Sequence, residues 1–297
     1  MSMSRANTTL EIHHVSKSYG PIKALQDVNL GFDETGIYGL FGRNGAGKTT
    51  LLDIISSRIF ADRGHVTCFD KDISRFPGIV AKNCCYMPEK HYFPERYTVR
   101  RLLGVARMAF PDFSVMIAEK LCKRFQLNKH QKYGELSMGY KSIFKIVLGM
   151  ASNSPITIFD EPVLGLDAAA RDLFYSELIE SFTDNPRMFI ISTHLIEESA
   201  DLFNEAVILK EGRVLRQAPV EELLASAFYV SGKSNEVDAY IKQQNVIGCQ
   251  SAGDMKTAVI AGNLQDMKPE RGLRFSTLTI QKLFIHLTQK GTEGQQR

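Results

Sequence analysis

Eight residues constrain this chain more than any others: Gly42-Arg43-Asn44-Gly45-Ala46-Gly47-Lys48-Thr49. Two glycines bracket four residues, and Lys and then Thr follow, which is the spacing of a phosphate-binding loop. The flanks suit that reading. Ile37-Tyr38-Gly39-Leu40-Phe41, ahead of the loop, is a short apolar run of the kind that forms a buried strand. Behind it, Thr50-Leu51-Leu52-Asp53-Ile54-Ile55 carries apolar side chains at helical spacing. A strand, a glycine loop and a helix start bring backbone N–H groups and the positive end of a helix onto one point, where they bind a polyphosphate. In that frame Lys48 reaches the β- and γ-phosphates, and Thr49 offers its hydroxyl to Mg²⁺. The competing explanation is an accidental glycine-rich turn, and the flanking elements tell against it. Residues 42–50 are therefore the candidate nucleotide site.

The bulk numbers set the frame around that loop. At 297 residues, 44% hydrophobic and 23% charged, the chain has ordinary globular composition. One large domain plus a smaller one is the natural expectation at this length. A net charge of +3 is too small to imply a nucleic-acid or membrane-surface partner by itself. The stretch from Met1 to Thr9 is polar and lacks the apolar core of a secretion signal. No apolar run approaches the length that spans a bilayer. Cys68, Cys84, Cys85, Cys122 and Cys249 form no C-x-x-C pair and have no histidine partners at zinc spacing. Cys84 and Cys85 are neighbours, which rarely bond each other, and they read as buried thiols in a reducing compartment, so a cytoplasmic location is expected.

Along the chain, Leu10–His13 and Val28–Phe32 alternate like half-exposed strands and suggest an antiparallel flap. Ser18-Tyr19-Gly20-Pro21 forms the turn between them. Gly64–Phe69 and Asn83–Met87 are further strand candidates, the second stopped by Pro88. From Val99 to Asn153 the pattern is helical with Gly and Pro breaks. Ile156–Phe159 and Met188–Ile191 are short apolar strands with a helix from Ala168 to Phe182 between them. Ala206–Leu209, the Glu211-Gly212 turn and Arg213–Leu215 make a closing hairpin. Alternating strands and helices around a phosphate loop give an α/β class with a mostly parallel sheet and helices on both faces. After Pro219 the composition shifts. Short strands at Phe228–Val230, Thr257–Ile260 and Leu273–Phe275, with two amphipathic helices, describe a small α+β extension over residues 221–297.

Two further motifs carry chemistry. Asp160 and Glu161 end an apolar strand, and residues just past a strand's carboxyl end face the ligand crevice of a parallel sheet. Asp160 is placed to hold Mg²⁺ through water, and Glu161 to orient or deprotonate an attacking water. An acidic helix cap ahead of Pro162 is the plainer alternative. Leu136-Ser137-Met138-Gly139-Tyr140 precedes a helix, so Ser137 and Gly139 make a second anion site, or Ser137 is simply its cap.

The phosphate loop, Leu136–Tyr140, Asp160-Glu161, Gly165-Leu166-Asp167 and Ser192-Thr193-His194 stand in the order of the ABC transporter ATP-binding subunits. Over residues 8–220 the chain resembles that family. The resemblance implies a P-loop NTPase core of the RecA-like kind over residues 1–220, with an antiparallel β flap and a helical subdomain at about 90–153. It implies transport-coupled ATP hydrolysis with ATP and Mg²⁺ as cofactors. It further implies a head-to-tail dimer, expected to be a homodimer, in which Ser137 and Gly139 of one subunit meet the nucleotide of the other. Tyr19 then stacks on adenine or is a surface tyrosine, Asp167 bridges the two sites, and His194 contacts the γ-phosphate. The other histidines (His13, His14, His65, His91, His130 and His286) receive no role.

Two positions depart from the family pattern. Glu89 stands where glutamine is usual, offering an oxygen to Mg²⁺ and water but adding negative charge. Tyr140 ends the signature instead of glutamine. Both resemble the drug, peptide and bacitracin-type exporter branch, which implies export of a peptide, antibiotic or lipid-like substrate. The family also implies that residues 89–113, rich in aromatics and arginine, receive an integral membrane permease subunit, holding this subunit on the inner face of the membrane. An aromatic and arginine mix suits such an interface; a nucleic-acid patch or a solvated helix are the alternatives, and no nucleic-acid partner is expected. Two other functions compete: a soluble ATPase of the same family acting on ribosomes or DNA, and an ATP-dependent regulatory switch.

Overall fold

The computed structural model describes residues 8–90, 92–266 and 272–288. The expectation about the polar N-terminus falls largely on residues 1–7 and so lies outside the described residues, as do His91 and residues 267–271 and 289–297 of the extension. The chain divides into two compact units, residues 1–194 with 202–217, and residues 195–201 with 218–297. The short segment 195–201 thus groups with the second unit, which no pattern in the sequence suggests.

In the first unit the loop strand Gly36–Gly42 is central to a six-stranded sheet. Its order is Arg213–Pro219, Glu205–Lys210, Gly36–Gly42, Met188–Thr193, Ile156–Asp160 and Cys84–Met87. Gly36–Gly42 runs parallel to both of its neighbours, and Ile156–Asp160 runs parallel to Met188–Thr193 and Cys84–Met87. Every residue of Gly36–Gly42, Ile156–Asp160 and Met188–Thr193 is buried. That is why these strands read as unbroken apolar runs in place of alternating ones. Register sets the chemistry: Phe41 pairs with Thr193, and Asp160 with Ser192, so three strands end at one level of the sheet.

A second sheet pairs Thr8–Tyr19 antiparallel with Ile22–Asp33 and with Arg63–Cys68. The helix Lys48–Ile55 is sandwiched by the core. Leu51, Leu52, Ile54 and Ile55 pack among Leu10, Val28 and Phe32 of this sheet and Leu40, Ile158 and Ile190 of the parallel one. Three helices follow within residues 99–153: Val99–Ala109, Val115–Arg124 and Met138–Ser152. Each is started by a hydroxyl that accepts a backbone N–H: Thr98 from Arg101, Ser114 from Ile117 and Ser137 from Tyr140. A further helix, Pro77–Asn83, was not anticipated; its Pro-Gly start resembles a turn, yet proline at the first helical position is compatible with the fixed φ a helix needs.

The second unit holds a four-stranded sheet in the order Val246–Ala252, Met255–Ala261, Ala227–Lys233 and Arg274–Thr277, antiparallel at each pairing. Phe228, Val230 and Ile260 form its core, with Tyr240, Ile241, Leu273 and Phe275 packed against them. Val246–Ala252 escaped the sequence reading because its residues are mostly exposed and show no alternation. Pairing with Met255–Ala261 across the Gly253 turn, where φ is 58°, makes it a strand.

Candidate functional site

The site is built where the parallel strands end. Gly42 closes the central strand, and the chain turns through Gly45 (φ 80°) and Gly47 (φ 105°) into the helix that starts at Lys48. Gly47 is required twice over. Its φ is left-handed, and a Cβ there would lie 2.6 Å from the Ala24 carbonyl oxygen. No side chain caps this helix, so its first N–H groups are left for another acceptor. Within the loop, Arg43, Asn44, Gly45 and Thr49 are exposed, while Ala46 and Lys48 are buried. Thr50 is partly buried on the helix.

Lys48, only 7% exposed, donates from Nζ to the Gly42 carbonyl at 2.7 Å and lies 3.7 Å from Glu161 Oε1. Asp160 is 1% exposed and fully engaged. Thr49 Oγ1 donates to its Oδ2 at 2.8 Å, Tyr86 OH reaches the same oxygen at 3.4 Å, and Ser192 Oγ donates to Oδ1. Burial, followed by the charges of Asp160 and Asp53, pushes the Tyr86 phenol far above its ordinary value, so it stays a donor.

Glu161 adopts φ 50°, a left-handed conformation rare for a residue with a side chain. Its N–H is held by Ser192, whose carbonyl and hydroxyl oxygens both lie at 3.1 Å. The twist leaves the carboxylate facing two partners. His194 Nδ1 lies 2.7 Å from Oε2, and the His194 N–H donates to the same oxygen at 3.4 Å. The Glu161 carboxylate is buried while the His194 side chain is 47% exposed, so His194 links a buried carboxylate to the open side.

Five residues distant in sequence, Lys48, Thr49, Asp160, Glu161 and His194, are therefore brought together. Other candidates stand apart from that cluster. Tyr19 is 48% exposed, with the Lys17 ammonium 5.8 Å from its ring centroid. Ser137 caps the helix Met138–Ser152, and Asp167 caps Ala168–Asp184 by accepting the Ala170 N–H at 2.8 Å. Gly139 packs on the turn before Asp167, where a Cβ would stand 2.7 Å from the Gly165 carbonyl oxygen. Glu89 is exposed, and its carboxylate makes no hydrogen bond to Thr49 or Asp160 among the described residues. Its backbone carbonyl is used instead, by Lys145.

Lys145 and Tyr86 are what sequence reasoning missed. Lys145 is 2% exposed and donates from Nζ to the carbonyls of Pro88 and Glu89 at 3.0 and 2.9 Å. Burial pulls its pKa down to about 8, against the opposing pull of Asp160 and then Glu89. The signal in the sequence was a lone cation in the stretch Ser142–Ser152, all of it buried. A cavity of about 260 Å3 lined by Thr9, Asn153, Pro155, Asn185 and Arg187 belongs elsewhere. Pro155 and Arg187 precede their strands, so it opens at the amino ends, opposite the carboxylates.

The donor set suits a hard cation, because a threonine hydroxyl and a carboxylate oxygen already meet at 2.8 Å. Among the described residues no group of three or more His, Cys, Asp or Glu side chains forms a ready-made metal cage. The fit is that of an ion that brings most of its own ligands, as Mg²⁺ does with phosphates and water. No helix of the described residues is long and apolar enough to cross a membrane.

Residues 25–164 match the ABC transporter family model. The chain is 29% identical over 260 residues to the ABC transporter ATP-binding protein YtrB of Bacillus subtilis (strain 168), covering 87% of this chain and 89% of that one. It is 28% identical over 233 residues to the taurine import ATP-binding protein TauB of Escherichia coli, covering 76% and 89%. Among solved structures it superimposes, with a TM-score of 0.64 and 21% identity, on the dimeric post-hydrolysis state of the ATP-binding cassette MJ0796 bound to ADP and Pi. That match covers 71% of this chain and 98% of the other.

Proposed function

We propose that this chain, which carries an ABC transporter ATP-binding domain homologous to YtrB and so belongs among the ABC-type ATPases, powers export through a separate membrane permease. The observation that carries the reading is the meeting of Lys48, Thr49, Asp160, Glu161 and His194 at one end of the parallel sheet. A polyphosphate on the loop receives the uncapped helix N–H groups and the Lys48 ammonium, which then exchanges its contacts with Gly42 and Glu161 for phosphate oxygens. Thr49 and Asp160 would hold Mg²⁺, which neutralises phosphate charge when bound. Glu161, oriented by the Ser192 and His194 contacts, takes the proton of the attacking water.

Residues 1–220 form the ATPase domain and residues 221–297 an assembly or regulatory extension. A homodimer is proposed, with Ser137, Gly139 and Asp167 meeting the second nucleotide and Tyr19 meeting the base. The dimeric state of MJ0796 with ADP and Pi supports the pairing. Glu89 and Tyr140 support the export direction by their likeness to exporter subunits, although TauB serves import. Residues 89–113 are the permease-facing region. There Met108 is 81% exposed, and Arg101 stacks 4.0 Å from the Tyr97 ring centroid, as an interface of apolar and cationic groups requires.

Glu161→Gln decides the catalytic part. It keeps the loop and the helix end, so ATP binds as in the wild type, while phosphate release falls at least about 100-fold. A variant retaining more than about a tenth of the wild-type rate removes the general base from Glu161.

A further inference from the structure

A buried ammonium needs compensation, because an unpaired charge out of water is among the most destabilising defects a fold can carry. Lys145 sits at 2% exposure on a helix whose neighbouring residues, Ser142–Ser152, are all buried. Its two identified acceptors are consecutive carbonyls, Pro88 at 3.0 Å and Glu89 at 2.9 Å. Those two residues leave the strand Cys84–Met87 next to the catalytic strand, since Met87 pairs with Phe159, one residue before Asp160. The ammonium therefore sits against the backbone of residue 89, the position that departs from glutamine. Its charge is buried there, and Asp160 and then Glu89 act to hold it in the charged form against that burial.

We infer that Lys145 is a positioning residue for the proposed ATPase reaction: it fastens the Pro88-Glu89 segment to the helix Met138–Ser152 and offsets the negative charge at Glu89. The inference rests on the nucleotide site proposed above. Lys145 and Glu89 then form one device. A carboxylate at position 89 beside a γ-phosphate is repulsive on its own. With the Lys145 ammonium bonded to the Glu89 carbonyl, a negative charge at position 89 carries less electrostatic penalty. The helix that presents Ser137 and Gly139 also gains a fixed link to the 88–89 segment, so movement of one is transmitted to the other.

The test is a cycle of four full-length proteins: wild type, Lys145→Met, Glu89→Gln and the double variant. Steady-state phosphate release is measured against Mg²⁺ and ATP, with binding of a fluorescent ATP analogue and the thermal midpoint as controls. With Glu89 in place, Lys145→Met lowers kcat about tenfold and raises the Mg²⁺ concentration for half-maximal rate. On top of Glu89→Gln the same substitution changes kcat by less than about threefold, because no charge is left to offset. A lysine that served only as a backbone tie would give the same loss in both backgrounds, and that result, or no loss in either, overturns the inference. Where Lys145→Met does not fold, Lys145→Gln replaces it in the cycle, keeping a donor for the carbonyls without the charge, and the same outcomes apply. A wild-type protein that neither binds nor hydrolyses ATP overturns the proposed function itself; an active wild type with equal losses overturns only the role of Lys145.

Discussion

The two units of this chain bury polar groups in opposite ways. In the first, Lys48, Lys145, Asp160, Glu161 and Ser192 are all under a tenth exposed, and each finds its partner among the others or in nearby carbonyls. The backbone is distorted there as well, with Glu161 held at φ 50°. In the second, the buried polar side chains are only Ser199 and Thr288 among the described residues, and both turn inward to carbonyls of their own helical turn. Its centre is Phe228, Val230 and Ile260. Buried charge is destabilising, and a fold tolerates it where the chemistry needs groups that are poised and dry. The first unit gathers Lys48, Lys145, Asp160 and Glu161 near the carboxyl end of its parallel sheet and buries Glu177, Arg187 and Glu205 elsewhere; the second buries a small apolar core. That difference is the one the proposed reading needs, with ATP hydrolysis in the first unit and assembly or regulation in the second.

The largest effect that would break this comparison lies in the first unit. Lys48→Met removes the cation between Gly42 O and Glu161 and leaves the loop without its phosphate-reaching charge. ATP turnover falls at least about 100-fold, as loss of one preorganised charge on a reacting phosphate does. A near-wild-type rate of phosphate release in this variant would show that the buried charges serve stability alone.

In the second unit the largest effect is on folding. Phe228 is fully buried, and Phe228→Ala leaves a cavity that destabilises this unit by about 3–5 kcal/mol. Hydrogen exchange in Ala227–Lys233 and Met255–Ala261 reads the loss, while binding of ATP to the isolated subunit stays within about twofold of wild type. ATP binding that weakens in step with exchange would erase the division of labour.

The smallest effect sharpens the comparison by pH. His286 Nδ1 is buried with no hydrogen-bond partner among the described residues, and a Cβ on Gly248 would run into the ring. Burial, and then the Lys282 charge, hold His286 below its ordinary value of 6.5. The unfolded chain therefore takes up a proton before the folded one does. The stability linked to His286 is complete above pH 6.5 and declines as pH falls from there toward the lower folded value. Exchange of Val246–Ala252, corrected for intrinsic rate, is expected to be faster at about pH 5.5 than at about pH 7.5, and His286→Gln should flatten the difference. An unchanged slope in His286→Gln would place the pH response elsewhere.

How far the sequence reached depended on whether a feature is local. The phosphate loop is local: its glycines answer to φ and to close approach within a few residues, as the 2.6 Å clearance at Gly47 shows. The strands ending in Asp160 and His194 were legible because strands buried on both faces are uniformly apolar. Ser137 and Asp167 were weighed as functional groups, and the structure uses both side chains as helix caps, a role written in the same residue types. The sequence also supplied the order of motifs, from which the parallel sheet and the likeness to ATP-binding subunits follow.

What the tertiary structure alone decided is which of those groups meet, and with whom. Tyr86 OH reaches Asp160 across 74 positions, and Lys145 reaches Glu89 across 56. Neither contact has any periodicity or spacing to announce it. The same holds for residues 195–201, which group with the second unit although His194, one step earlier, belongs to the first. Local spacing fixes φ, ψ and the face a side chain takes. Sheet register and helix packing fix the distances between faces, and at this site those distances settle which charge is offset and which is left for the phosphates.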